Sequence, residues 1–292
     1  MNRLHSECLK CVLKKYMEKI PEGASEAEKI EYLQRILKLA SEAPMTMSAP
    51  VLVRDVVGVL YEMFGVTNEY GEIKKYFNQL MMQYEAGARE KIEESEDSLK
   101  LALQYSMTGN YIDFGAMAKI DEDELGALIE KSYENNVDEE EYQNLKEDLK
   151  NAKHLVYLTD NCGEIVMDKI FIETLMELYP ELEIKVIVRG EPVLNDVTIE
   201  DVDQVGLSNL VTIIENGTGI AGTCMEEINE ESRTAMEEAD VILSKGQGNF
   251  ETLIGCGLNV YYIFLCKCDM FAEKFQVEKF SGMLLNDRKC IV

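Results

Sequence analysis

LVYLTDNCGEIVMDK, residues 155–169, joins a short apolar run to a second apolar segment through a polar turn. The run ends abruptly in Asp160 and Asn161, and Gly163 and Glu164 then lead into the second segment. This pattern predicts a strand, a turn and a helix, with two oxygen-bearing side chains at the carboxyl end of the strand, where open α/β sheets build their sites. Helix capping is another common reason for polar residues in such a turn, so this stretch alone leaves both roles open.

Three further segments have the same organisation, in which a strand-like run ends in a polar, glycine-bearing loop. They are EIKVIVRGEPVLNDVT (183–198), LVTIIENGTGIAGT (210–223) and ADVILSKGQGNFETL (239–253). A fifth strand is expected in NVYYIFLCKC (259–268). Alternation of strands and helices indicates parallel βαβ units, so the four loops can converge on one side of a sheet.

The chain before this part has a helical pattern, interrupted by proline and glycine, and Ser25-x-x-Glu28 reads as a capping box. A length of 292 residues is enough for two modest domains. We therefore predict an α/β protein in which an all-helical region, residues 1–152, packs on a domain formed by residues 153–292. That domain is expected to have three layers, α/β/α, with a mainly parallel, Rossmann-like sheet.

Composition limits the partners of this protein. With 29 basic and 55 acidic residues the formal net charge is −26, so nucleic acid and anionic membranes are poor partners. An anionic substrate would need a local exception, which a bound metal ion and a few cations can supply. No apolar run approaches the roughly 20 residues that span a bilayer, and the amino-terminal residues lack the apolar core of a signal peptide. We expect a cytoplasmic protein with reduced thiols.

Several motifs in a fixed order carry a resemblance to a known family. They are Gly109-Asn110-x-Ile112-Asp113-Phe114-Gly115, Asp160-Asn161-x-Gly163-Glu164, Arg189-Gly190-x-Pro192-x-x-Asn195-Asp196, Asn216-Gly217-Thr218 and Lys245-Gly246-x-Gly248-Asn249. Together they resemble the metal-dependent damage-control phosphatases, formerly called domain of unknown function 89. Cys8-x-x-Cys11 and Lys267-Cys268 are similar to motifs of the smaller, prokaryotic-type members. The resemblance covers nearly the whole chain.

This resemblance implies metal-dependent hydrolysis of small phosphorylated metabolites, such as sugar phosphates. Asp160, Asn161 and Asp196 form an all-oxygen set that suits Mg²⁺ or Mn²⁺, and they align with the metal ligands of the family. Co²⁺ and Ni²⁺ are further candidates. Spacing alone leaves helix capping by Asp160 and Asp196 equally open.

Further residues are expected to contact the substrate or the water that attacks it. Lys245 would hold a phosphate oxygen and Glu164 would orient or deprotonate the water, although a surface lysine and a helix-start glutamate are the plain alternatives. Together with Asp160 and Asn161 they form the predicted catalytic set. Backbone N–H groups of Gly217 and Thr218 could bind phosphate or only form a tight turn. The remaining predicted substrate contacts are Asn110, Asp113, Arg189, Asn195 and Asn249, with helix capping as the alternative for Asp113.

Other functional classes stay open at this stage. Gly217-x-Gly219-x-x-Gly222 has the letters of the dinucleotide fingerprint, but it follows the third strand of the pattern rather than the first. Glu215-x-Gly217-x-Gly219 makes an adenosyl-methionine-dependent methyltransferase an alternative, and a non-catalytic metal or sugar-phosphate-binding protein is another. A haloacid-dehalogenase-type phosphatase is disfavoured because the first strand ends in Asp160-Asn161-Cys162 and not in that family's Asp-x-Asp pair. Cys8, Cys11 and Cys268 suggest either a metal or redox cluster or, more simply, buried thiols.

Overall fold

The first part of the chain is helical, as predicted. The computed structural model describes residues 3–66, 70–111 and 122–290. Ser25 and Glu28 form the expected capping box at the start of the second helix. The helices are α1 (Ser6–Met17), α2 (Glu26–Glu42), α3 (Ala49–Phe64), α4 (Gly71–Met82), α5 (Glu85–Glu93), α6 (Ser98–Gly109), α7 (Glu122–Glu130) and α8 (Glu139–Asn151), with a 3-10 turn at Ser132–Glu134.

The second part of the chain forms a six-stranded sheet in the order β3-β2-β1-β4-β5-β6. Five strands are parallel, and β6 runs antiparallel to β5 at one edge. The strands are β1 (His154–Leu158), β2 (Glu183–Val188), β3 (Thr212–Glu215), β4 (Val241–Lys245), β5 (Val260–Leu265) and β6 (Gly282–Asn286). The helices are α9 (Glu164–Leu178), α10 (Ile199–Val205), α11 (Glu230–Glu238), α12 (Gln247–Leu253), α13 (Asp269–Phe275) and α14 (Asp287–Cys290), with a 3-10 turn at Leu207–Asn209.

The strand order creates a crevice between the ends of β1 and β4. From β1 the chain moves outward to β2 and β3, then returns to the other side of β1 to form β4 and β5. Such a reversal leaves the loops after the two central strands free to diverge, and open α/β sheets bind ligands there. The turn after β1 is the Asp160–Asn161 turn, and β4 ends at Lys245.

Apolar side chains cover both faces of the sheet. Leu155 and Tyr157 of β1 face a core shared with helices α4 to α10, whereas Val156 and Leu158 face a core shared with α11 to α14. This alternation follows from the two-residue period of a strand and produces the predicted three layers. Helices α1 to α3 enclose a smaller cluster of their own, and α3 contacts α12.

The apolar core continues across the predicted domain boundary. Helices α4 to α8 precede residue 153, yet their buried side chains pack directly against α9 and the sheet. The division into residues 1–152 and 153–292 therefore stays a prediction. The fifth strand is shorter than the predicted segment 259–268, and the short edge strand β6 was not predicted. Among the helices of the described residues, none has the length and apolar character to cross a membrane.

Candidate functional site

The turn after β1 and the loop after β2 are joined by a short antiparallel bridge between Asn161 and Asp196. The N–H of Val197 donates to the carbonyl oxygen of Asp160 at 2.8 Å and holds the bridge in place. Residues paired across such a bridge have Cβ atoms about 4.5–5.5 Å apart. The three side chains predicted to share a metal ion are therefore brought together by the backbone itself.

Helix capping does not explain the two aspartates. The N-cap of α9 is Gly163, which has a φ of 81° and no side-chain cap. The N-cap of α10 is Thr198, which forms a capping box with Asp201. Asp160 and Asp196 thus lie before the caps and face the cluster instead.

The carboxylate of Asp160 is enclosed by polar donors and by a glycine. Its Oδ2 accepts hydrogen bonds from Nδ2 of Asn110 at 3.0 Å and from Nδ2 of Asn161 at 2.5 Å. A Cβ atom at Gly246 would lie 2.0 Å from the same oxygen, and the φ of 80° also favours glycine. The loop after β4 consequently approaches Asp160 more closely than any side chain would allow.

Burial and neighbouring charges act on Asp160. Burial raises the pKa of Asp160 well above its ordinary value, and the carboxylates of Glu164 and Asp196 raise it further. The positive charges of Lys267 and Arg189 oppose this shift. Carboxylates crowded in this way favour either a proton or a bound cation.

Arg189 is buried beside Asp196, where its Nε donates to Oδ2 of Asp196 at 2.7 Å. Burial raises the pKa of Asp196, and the Arg189 guanidinium opposes that rise. The other guanidinium nitrogens donate to Thr223, Asn249 and the carbonyl oxygen of Thr159. Arg189 was predicted to orient substrate. The structure instead directs it at protein acceptors, because it follows directly after β2 beside the loop that contains Asp196.

Asn249 was also predicted to contact substrate, and the structure gives it a supporting position. Its Nδ2 donates to the carbonyl oxygens of Thr159 at 3.0 Å and Lys245 at 2.7 Å, and its Oδ1 accepts from Arg189 and Thr223. Both donors and both acceptor positions of the amide are used. Asn249 therefore ties the loops together from inside the protein.

Lys245 does not face the cleft, contrary to the prediction. It ends β4 on the same face as Val241 and Leu243, because side chains two residues apart share a face of a strand. Its ammonium is fully buried and lies 2.6 Å from Oε1 of Glu164, 2.6 Å from Oδ1 of Asp168 and 3.0 Å from a backbone carbonyl oxygen. Three acceptors occupy its three donors. Burial lowers the pKa of Lys245, but the two carboxylates outweigh it and raise the pKa overall.

Glu164 links the Asp160 side of the cluster to Lys245. It is the first residue of α9 and is fully buried. Its Oε2 accepts from Nδ2 of Asn110 at 2.8 Å and from Nδ2 of Asn161 at 3.1 Å. The glutamate is thus part of the cluster and has more than the dipole-favoured position of a helix start, while its role at the attacking water stays a prediction.

Asn110 also lies in this cluster, with its Oδ1 fixed by the N–H of Leu265 at 3.2 Å. Its amide nitrogen is consequently aimed at the carboxylates of Asp160 and Glu164, not at a sugar hydroxyl. Asp113, the other predicted sugar contact, lies outside the described residues.

The remaining predicted contacts lie on the two neighbouring loops. Nδ2 of Asn195 donates to Oδ1 of Asn161 at 2.7 Å. The N–H of Thr218 donates to the side chain of Asn216 at 2.9 Å, which supports the tight-turn alternative for Thr218. Gly217 packs against Gly190, where a Cβ atom would lie 2.3 Å from the nitrogen of Gly217.

The donor set at this position fits a divalent cation. Four buried carboxylates, Asp160, Glu164, Asp168 and Asp196, face two buried cations, Lys245 and Arg189, which leaves an excess of two negative charges. Buried charge of this kind requires compensation. Within the described residues, no three His, Cys, Asp or Glu side chains are grouped closely enough to hold an ion on their own. Two aspartates with an amide oxygen remain as the candidate ligands.

Asn161 needs one adjustment to act as a ligand. Its Nδ2 points towards Asp160 and Glu164, and its Oδ1 points towards Asn195. The two ends of an amide have nearly the same shape, so a half-turn exchanges oxygen and nitrogen; the amide of Asn195 must then turn as well, and Asn161 no longer donates to Asp160 and Glu164. That half-turn would present an amide oxygen beside the carboxylate of Asp160.

Three residues at or near the cluster were not among the predicted site residues. Asp168 follows Glu164 by four residues on α9, and this spacing was a usable signal because such residues share a helix face. Oδ1 of Asn78 accepts the N–H of Gly163 at 2.6 Å, a contact between α4 and the turn that no local pattern reveals. The partly exposed Lys267 follows β5, and its charge reaches Asp160.

The cysteine motif shows no bond between thiols. All eight cysteines are free. Cys11 is exposed, and Cys8 and Cys268 are partly exposed, so the expectation that these three thiols are buried was wrong. A short helix exposes residues along its outer face, which explains the position of Cys11.

The chain is similar to known proteins along almost its whole length. The model of the damage-control phosphatase ARMT1-like domain matches residues 4–282. A damage-control phosphatase from Archaeoglobus fulgidus is 33% identical over 221 residues, 75% of each chain. Another, from Pyrococcus horikoshii, is 28% identical over 281 residues, 95% of this chain and 96% of that protein. The crystal structure of a DUF89 family protein from P. horikoshii matches with a TM-score of 0.82 and 26% identity, covering 97% of this chain and 99% of that one.

Proposed function

Because this chain belongs to the damage-control phosphatase family, we propose that it is a metal-dependent phosphomonoester hydrolase acting on small phosphorylated metabolites such as sugar phosphates. The observation that carries the proposal is the meeting of Asp160, Asn161 and Asp196 at the reversal point of the sheet. The excess of buried negative charge around them supports a divalent cation as the partner.

Asp160, Asn161 and Asp196 are the proposed metal ligands. All three offer oxygen, which favours Mg²⁺ or Mn²⁺, with Co²⁺ and Ni²⁺ as further candidates. A bound divalent ion would neutralise the phosphoryl oxygens of the substrate. Asn110 donates to Asp160 and Arg189 donates to Asp196, which holds these two ligand side chains in position.

Glu164 is the proposed group that orients the attacking water or accepts its proton. Its Oε2 accepts from Asn110 and Asn161 next to Asp160, and the half-turn that presents the amide oxygen of Asn161 to the metal would free an acceptor position on Oε2 for water. Lys267 is the proposed cation for the phosphoryl group, because its partly exposed side chain carries a charge that acts on Asp160. This assignment replaces the one first given to Lys245.

Two other functions are compared with this proposal. A methyltransferase would use the 215–219 loop for its cofactor, but Gly217 packs directly on Gly190 and family membership lies with phosphatases. A non-catalytic sugar-phosphate-binding protein would bind the same ligands without turnover. Measured phosphate release separates it from an enzyme.

The test is a panel of phosphorylated metabolites incubated with Mg²⁺, Mn²⁺, Co²⁺ or Ni²⁺, with a chelator as the metal-free control. Phosphate release that requires a metal and is lost in Asp160→Asn, whose fold is checked by circular dichroism, is the expected result. Folded protein that releases no phosphate from any compound with any of the four ions would overturn the proposal. Binding of a sugar phosphate without release would indicate the non-catalytic alternative.

A further inference from the structure

We infer that Asp168 and Lys245 form a buried positioning pair, which fixes the carboxylate of Glu164 against Asn110 during turnover. The inference rests on the proposed phosphatase function and adds two residues that act on the reaction only through Glu164. All three donors of Lys245 and Oδ1 of Asp168 are used by protein groups, so neither side chain is placed to touch a substrate.

Helix α9 presents two carboxylates, Glu164 and Asp168, to the ammonium of Lys245. Glu164 and Asp168 are four residues apart on α9, so their carboxylates lie on one face. The ammonium of Lys245 reaches this face from the end of β4 and lies 2.6 Å from each carboxylate. Lys245 therefore holds Oε1 of Glu164 and leaves Oε2 turned towards the amides.

Further hydrogen bonds fix the carboxylate of Asp168. Oδ1 of Asp168 accepts from Oγ of Ser106 at 2.7 Å, and that hydroxyl lies 3.3 Å from the hydroxyl of Tyr157. The carbonyl oxygen of Ser106 also accepts from Lys245. Helix α6 thereby contacts both members of the pair, which limits how far the ammonium can move.

One oxygen of the pair is left without a partner. Oδ2 of Asp168 is buried and has no hydrogen-bond partner among the residues that the structure describes. A buried acceptor without a partner is unfavourable, and a buried ion pair can often be replaced by apolar residues without loss of stability. Stability alone is therefore a weak reason for a carboxylate here. The position of Asp168 is explained by its charge. A second carboxylate keeps the ammonium of Lys245 midway between Glu164 and Asp168.

The decisive variant is Asp168→Asn, which keeps the shape and the acceptor at Oδ1 but removes the charge. We expect kcat for the best substrate of the panel to fall about 10- to 100-fold, as for outer residues that orient a ligand. KM and the calorimetric metal affinity should change less than about threefold, because the proposed ligands are not touched. Asp168→Ala should lose at least as much activity as Asp168→Asn.

The matched control is Glu85→Gln on α5. It removes the carboxylate that pairs with another residue of α9, Lys169. Lys169 of α9 lies 2.5 Å from Glu85, which also pairs with Arg89. A merely structural role of buried pairs on α9 predicts that Glu85→Gln and Asp168→Asn change kcat alike. The positioning role predicts that Glu85→Gln keeps the wild-type kcat.

The outcomes separate this inference from the proposed function. If the wild-type protein releases phosphate and folded Asp168→Asn retains kcat within threefold, the positioning pair is refuted while the phosphatase stands. Equal losses in kcat for Glu85→Gln and Asp168→Asn would also refute it. Inactive wild-type protein on the whole panel would overturn both. If Asp168→Ala does not fold, Asp168→Asn and its control still decide.

Discussion

At the scale of single residues, the contact between Gly246 and Asp160 determines how closely two loops can meet. A Cβ atom at residue 246 would collide with the carboxylate, and the φ of 80° disfavours any other residue. Side chains there are excluded by space and by backbone conformation together. The position of the proposed ligand thus depends on a residue that has no functional group.

Gly246→Ala should weaken metal binding, because the carboxylate of Asp160 must move away from the other ligands. We expect a loss of about tenfold or more in calorimetric affinity, in the range seen when residues that orient ligands are changed. A side chain at a φ of 80° and a ψ of 155° should also lower the free energy of unfolding by about 1–3 kcal/mol, because this backbone conformation is essentially restricted to glycine. Gly58→Ala on α3 is the control, since a Cβ atom there meets nothing within 4 Å. Equal affinity in the two variants would contradict the prediction.

Lys245→Met should destabilise the fold, because the ammonium neutralises two carboxylates that are fully buried. Breaking a buried pair from one side costs about 3–5 kcal/mol in the free energy of unfolding. Urea denaturation measures this loss, with Lys10→Met at an exposed pair as a control that should change little. A wild-type unfolding midpoint for Lys245→Met would mean that the buried position is wrong.

At the scale of elements, the helical region holds the turn that carries the proposed ligands. Helix α4 presents Asn78 to the N–H of Gly163, and α6 ends at Gly109 against the backbone of Glu164. A Cβ atom at Gly109 would lie 3.1 Å from Cα of Glu164, so α6 and α9 are in close contact. The turn is thus fixed from the helical side as well as by the bridge to the loop after β2.

Asn78→Ala should lower the free energy of unfolding by about 1–3 kcal/mol, the typical cost of leaving a buried donor without its partner. The donor is the N–H of Gly163. Gln204→Ala is the control, because it removes the other hydrogen bond of Asn78 and keeps the one to the turn. Chemical denaturation of both variants should show the larger loss for Asn78→Ala. A larger loss for Gln204→Ala would assign the stabilising role to the contact between α4 and α10 instead.

At the scale of the whole molecule, the net charge of −26 and the buried acidic cluster act in the same direction. Both favour the uptake of cations over that of anions. A phosphorylated substrate would therefore depend on the proposed metal ion and on Lys267, which follows β5. An ion bound in the acidic cluster would also add to the stability of the folded protein.

Metal removal should lower the thermal stability, because an ion that binds only the folded state stabilises it by mass action. At a free ion concentration of 100 times Kd the gain is about 2.7 kcal/mol. Thermal unfolding with Mn²⁺ and with a chelator measures the difference, and Asp160→Asn should lose most of it. An unfolding temperature that is the same with and without every tested ion would argue against a metal site in the cluster.

Much of the fold follows from local patterns in the sequence. The strand, turn and helix of residues 155–169, the helical first half and the three layers were predicted correctly, because periodicity and turn residues act over a few positions. The edge strand β6 was missed, since its five residues carry little pattern of their own. The meeting of Asp160 and Asp196 was predictable because both follow neighbouring parallel strands.

The sequence by itself determined which residues end the central strands and therefore which oxygens gather at the reversal of the sheet. Only the tertiary structure decided where the charged side chains point. Lys245 turns inward because the packing of α6 and α9 on the sheet supplies its acceptors, and Arg189 turns to Asp196 on the loop after its own strand. The carbonyl of Ser106 lies 139 residues from Lys245 along the chain. Contacts over such distances depend on the packing of whole layers, which no local pattern encodes.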